Sequence, residues 1–140
     1  MTYRIDLLAR HHRHLLDVIA AAHPLITERH RDADTHGLRH LRRELEEALV
    51  AYERFIREEI CDRSLWSRVD DATADARALL ASCIQLRQDY EQFVARWSAT
   101  DARLSWPRYR LSALCMIQQF RDHVIEAALM SKRWIGDEAA

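Results

Sequence analysis

Three side chains able to coordinate a metal stand at positions that the apolar pattern reserves for the interior: His12, Glu59 and His123. Imidazole nitrogens and a carboxylate oxygen together suit iron, zinc or manganese. Tyr52 and Tyr90 add hydroxyls on the same kind of stripe. A polar group on an otherwise apolar face costs free energy unless it is partnered, so each needs a hydrogen bond or a task. In one reading, His12, Glu59 and His123 converge on a mononuclear iron or zinc site. In another, a histidine is simply satisfied inside the core by Glu59 or by a tyrosine, which is the commoner fate of a histidine on an apolar face. A third would set His12 and His123 as axial ligands of a haem, which requires many small residues at one level.

The elements that must position these residues follow from spacing. Ile5, Leu8, His12, Leu15, Ile19, Ala22 and Ile26 alternate three and four apart, one stripe of a helix packed at a low crossing angle. Pro24 lies inside that pattern and should kink the helix or split off its last turn, because it removes a backbone donor. Leu38, Leu41, Leu45, Ala48, Tyr52, Phe55, Glu59 and Asp62 repeat the rhythm, with Asp34 or Thr35 available as a cap. Val69, Ala72, Ala76, Leu79, Cys83, Leu86, Tyr90, Phe93 and Trp97 make a third stripe, whose start is acidic at Asp70 and Asp71. The fourth runs Met116, Phe120, His123, Ala127, Met130, Trp134, widened by Ile117, Val124 and Ala128, with Pro107 tolerated in its first turn and Gly136 ending it. The expected fold is all-α: an antiparallel up-down-up-down four-helix bundle with helices at about 4–31, 36–62, 68–98 and 106–134. It forms a single domain over residues 1–140. If neighbouring helices run in opposite directions, His12, Glu59 and His123 fall in the same half of the bundle.

The other chemistry-bearing residues suggest less. His11 and His14 flank His12 but point elsewhere on the helix, towards the surface. His36, His40 and Glu44 have the i, i+4, i+8 spacing of an external zinc clip, but Gly37 and the crowding Arg39, Arg42 and Arg43 favour a solvated face. His23 and His30 suggest nothing specific. Cys83 reads as a small core residue. Trp66, Trp97, Trp106 and Trp134 stand near helix ends and are expected to close them. There is no glycine-rich phosphate loop, no strand-turn-helix nucleophile site and no paired metal-binding cysteines, so no enzyme activity is expected.

Composition narrows the class further. A formal charge of -1 gives no basic field for nucleic acid. No apolar run approaches the ~20 residues of a membrane span. Cys61, Cys83 and Cys115 are odd in number and widely spaced, which points to reduced thiols in a cytoplasmic protein rather than disulfides. The early charges at Arg4, Asp6 and Arg10 argue against a signal peptide. A protein partner or a second copy of the chain is the expected contact; Leu111, Leu114 and Ile125 are apolar residues outside the fourth stripe, facing either neighbouring helices or another subunit.

Three segments resemble the hemerythrin-like (HHE cation-binding) family. Leu7-Leu8-Ala9-Arg10-His11-His12 is similar to the family's first-helix motif, and His12 matches its ligand. Phe55-Ile56-Arg57-Glu58-Glu59 resembles the second-helix motif, with Glu59 at the bridging acid and Phe55 where a histidine stands in the family. Phe120-Arg121-Asp122-His123 resembles the fourth-helix motif; His123 matches, while Ala127 and Ala128 replace the following acid. The third helix, where the family has two histidines one turn apart, has none and offers Ala72 and Ala76 at that depth. The resemblance implies a four-helix bundle across nearly the whole chain. It leaves only His12, Glu59 and His123 for metal, too few to hold a diiron centre. The expected function is therefore a hemerythrin-like bundle that has lost its diiron centre and serves as an interaction or regulatory module with no resident cofactor. Iron or zinc at the reduced site is the alternative.

Overall fold

The computed structural model describes residues 2–27, 35–61, 70–98 and 104–139. These form α1 (Thr2–Thr27), α2 (Thr35–Phe55), α3 (Asp70–Ser98) and α4 (Trp106–Ala139), and no strand occurs among the described residues. A π turn, Ile56–Ile60, continues directly from α2. The expected roles of His30, Asp34, Asp62, Trp66 and Val69 lie outside the described residues. So do those of the Thr35, His36, Asp70, Asp71 and Ala72 side chains.

Burial follows the three-four rhythm closely. On α1, Ile5, Leu8, His12, Leu15, Ile19 and Ile26 are all buried, with Val18 beside them. On α2 the inward positions are Leu38, Leu45, Ala48, Leu49, Tyr52 and Phe55, and on α3 they are Ala76, Leu79, Cys83, Leu86, Tyr90 and Trp97. The α4 stripe starts earlier than Met116, taking in Trp106, Tyr109 and Ala113 before it. These residues form one continuous core. α1 lies against α2 and α4, and α3 lies against α4 and the π turn.

Pro24 does not split off the last turn of α1, and one helix boundary, at the end of α4, differs from expectation. Pro24 sits within α1, which continues to Thr27 with the Thr27 hydroxyl donating to the His23 carbonyl at 3.0 Å. α4 runs through Gly136 to Ala139 instead of stopping there; a glycine costs a helix only about 1 kcal/mol and is not by itself a terminator.

The larger difference is the π turn. Cys61 N–H donates to the Ile56 carbonyl at 2.9 Å, five residues back instead of four. Widening one turn delays the return of the inward face by a residue. Ile56 and Ile60 are therefore fully buried, while Arg57, Glu58 and Glu59 face outward. A regular helix would have carried Glu59 to the core, as its spacing from Tyr52 and Phe55 implied.

Tryptophans close the core near helix ends. Trp97 Nε1–H donates to Ser112 Oγ at 3.2 Å, and Trp134 Nε1–H donates to Asp75 Oδ2 at 3.3 Å, each tying α3 to α4. Trp106 stacks on Tyr109 with centroids 5.5 Å apart.

Candidate polar site at the centre of the helices

Each helix contributes one polar side chain to a single hydrogen-bonded chain. The Tyr52 hydroxyl of α2 lies 2.9 Å from His12 Nε2 on α1 and 2.7 Å from His123 Nε2 on α4. On α3, Ser82 Oγ lies 2.9 Å from the other ring nitrogen of His123, Nδ1. Both imidazoles meet the tyrosine ring nearly edge-on, with centroids 5.4 and 5.6 Å away. Tyr52 is wholly buried, and both histidines are buried.

Proton counting constrains this chain. Burial pushes both histidines down to about 4; for His12 the facing His123 and adjacent His11 add to the effect. Burial also raises the Tyr52 phenol well above its ordinary value. At neutral pH all three groups are uncharged. A tyrosine hydroxyl has one proton, so it donates to one Nε2 and accepts from the other. The two imidazoles must then be opposite tautomers. Either His123 Nδ1–H donates to Ser82 while His123 Nε2 accepts from Tyr52, or Ser82 donates to His123 Nδ1 while His123 Nε2–H donates to Tyr52. Passing from the first arrangement to the second shifts the protons between these groups and also requires one proton to be taken up at His12 Nδ1 and one to be released from Ser82.

Glu59 does not join His12 and His123. Its side chain is 48% exposed, and its carboxylate lies 3.4 Å from the buried Nε of half-buried Arg4 on α1. Around the histidines the positions that would need ligands hold buried Phe55, Ala76 and Ala127. Among the described residues no three histidine, cysteine or acidic side chains are grouped to hold a metal. A zinc–imidazole bond is about 2.0–2.1 Å long, whereas both Nε2 atoms sit at hydrogen-bond distance from a neutral phenol. These residues fit neither a diiron centre nor the His12, Glu59 and His123 set.

Tyr90 also stands apart from the histidines. Its hydroxyl donates to the Arg42 carbonyl at 3.4 Å, and its ring packs edge-on against Phe120. Cys83, next to Ser82, is buried; burial, reinforced by Glu53, pushes its thiol up to about 12, so it stays protonated and unreactive. His11 is not a free surface residue: it stacks on Phe55 with centroids 4.9 Å apart, and burial lowers its pKa. His14 and His40 are exposed. Ser82 was not singled out from the sequence. A serine beside the Cys83 seam position, on a helix lacking any histidine, was the available signal, and it became readable only with the α3–α4 register known.

Comparison with family models, with curated proteins and with solved structures finds no match to this chain. No helix among the described residues is long and apolar enough to cross a membrane.

Proposed function

We propose that this chain is a hemerythrin-like, antiparallel up-down-up-down bundle whose diiron centre has been lost, and that it serves as a cytoplasmic interaction or regulatory module, not as an enzyme. The observation that carries this reading is the Tyr52 hydroxyl, which takes both His12 Nε2 and His123 Nε2 as partners. A side chain of the protein itself thus occupies the centre where the family resemblance would put metal. The antiparallel course is supported by the order of contacts. Arg4 meets Glu59 and His12 meets Tyr52; Asp75 meets Trp134 and Ser82 meets His123. In each helix pair one number rises as the other falls.

The interaction role draws support from α4, where Leu111, Ile125 and Leu129 are 66%, 58% and 57% exposed. Successive helix residues turn by about 100°, so these three share one outward face. That face suits a protein partner or a second copy of the chain. Three unpaired cysteines accord with a reducing compartment.

The competing metal-binding reading, iron or zinc on His12, Glu59 and His123, requires Glu59 to leave Arg4 and enter the core. Haem is less favoured still, because Tyr52 fills the space between the two imidazoles. Elemental analysis of protein purified without chelators separates these readings. The expected result is iron and zinc far below one equivalent; stoichiometric metal that disappears in His12→Ala would overturn the proposal.

A further inference from the structure

α4 carries two stripes. The inward one, with Met116, Phe120 and Val124 near its middle, is buried in the core. On the opposite side Leu111, Cys115, Gln118, Asp122, Ile125 and Leu129 are all exposed. Successive members are four, three, four, three and four residues apart. That is the rhythm of a helix packed on another helix at a low crossing angle, and nothing in this chain covers it.

The outward stripe also reads alike in both directions about the level of Phe120. Leu111 and Leu129 stand nine residues to either side, Cys115 and Ile125 five, and Gln118 and Asp122 two. Turned end for end against itself, it sets Leu111 beside Leu129, Cys115 beside Ile125 and the Gln118 amide beside the Asp122 carboxylate. Two antiparallel helices related by a twofold axis pair in this way, because residue i meets j wherever j meets i. A parallel pair would instead bring each residue against its own copy, Asp122 against Asp122 included. At the middle level, Gln118 Nε2–H donates to Asp122 Oδ1 within the chain at 2.8 Å. The amide keeps a second N–H and the carboxylate a second oxygen for the opposite chain. One polar level within an apolar seam fixes its register.

We infer that the outward face of α4 is a homodimer interface, where α4 packs antiparallel on its copy about a twofold axis at the level of Phe120. This rests on the interaction role proposed above and specifies its partner and register. A single helix against a single helix is a small contact, about 27 Å long from Leu111 to Leu129, so the dimer is weak and concentration-dependent.

The test is sedimentation equilibrium of the full chain from about 10 µM to about 1 mM. The mass should rise from 16.5 kDa towards twice that value. Leu111→Lys and Leu129→Glu should each weaken association at least about tenfold. Both in one chain should restore it, because the introduced lysine of one copy then meets the introduced glutamate of the other. These positions are exposed, so helicity should be unchanged in every variant. On oxidation, Ile125→Cys should give a covalent dimer whose disulfide joins the introduced thiol to Cys115 of the opposite copy. Within one chain those positions are about 15 Å apart along the helix, too far to bond. A disulfide joining Cys115 to Cys115, or paired charges that fail to restore association, would overturn the antiparallel register. A monomer at every concentration would overturn the second copy while leaving the interaction role to a different protein. A dimer indifferent to all these substitutions would move the interface off α4 and take away the support that this face gives to that role.

Discussion

Tyr52 holds two histidines that have no other side-chain partner in common, so its single oxygen decides whether two buried ring nitrogens are satisfied. Leaving a buried polar atom without a partner costs about 1–3 kcal/mol. Tyr52→Phe keeps the ring and its packing and removes only that oxygen. It should therefore lower the stability to urea by about 2–5 kcal/mol, the sum for two nitrogens less some relaxation. Adding His12→Leu should recover part of the loss, and a fully additive double variant would show that the two residues are not coupled. The histidines also set a pH dependence. In the unfolded chain each ring takes up a proton near pH 6.5, but in the folded protein only near 4. Between those values the unfolded state binds more protons, so the histidines' contribution is complete above pH 6.5 and falls away as the pH drops towards 4. Each ring can account for up to about 3 kcal/mol across that window. Urea midpoints measured at pH 7 and pH 5 should differ clearly, before most carboxylates titrate; His123→Gln should shrink that difference.

At the scale of the helix, most of the architecture was legible because apolar side chains recur at three and four. His12, Tyr52 and His123 fell on those stripes and are buried where the spacing put them. The alternative of a histidine satisfied by a tyrosine is the one realised. Glu59 was misread for a definite reason. Nothing in Ile56-Arg57-Glu58-Glu59-Ile60 distinguishes an α turn from a π turn, since both leave three polar residues between two isoleucines. The difference lies in five-back hydrogen bonds such as that from Cys61 to Ile56, and in the packing that rewards burying both isoleucines. Substitution separates the two registers. Ile60→Ala should destabilise by about 2–5 kcal/mol as a core truncation. Glu59→Ala should cost only about 1 kcal/mol as the loss of a partly exposed ion pair. Thermal or urea unfolding of the two variants checks this; a reversed order would place Glu59 inside. Ser82 escaped notice for a different reason: a lone serine on a helix is a common surface residue, and only the α3–α4 register pairs it with His123.

Over the whole molecule, the polar chain Ser82–His123–Tyr52–His12 takes one residue from each of α3, α4, α2 and α1, and so fixes all four helices at one level. Apolar packing alone permits sliding by a turn; a hydrogen-bonded chain that must close on specific nitrogens does not. On the function proposed above, this chain of neutral groups stands where the family resemblance would put ligands, which turns attention to the exterior of the helices. If the α4 face at Leu111, Ile125 and Leu129 meets a second copy, light scattering should give a dimer mass that Leu111→Glu with Leu129→Glu reduces to a monomer, without loss of helicity. A monomer at all concentrations would leave a different protein as the partner.

The most direct measurement is the side-chain nitrogen NMR spectrum of His12 and His123 at pH 7, recorded before and after one equivalent of zinc. Two neutral rings of opposite tautomer, unchanged by the metal, are predicted by a tyrosine-bridged pair. Rings of the same tautomer, a charged ring, or signals displaced by zinc at both histidines would contradict it.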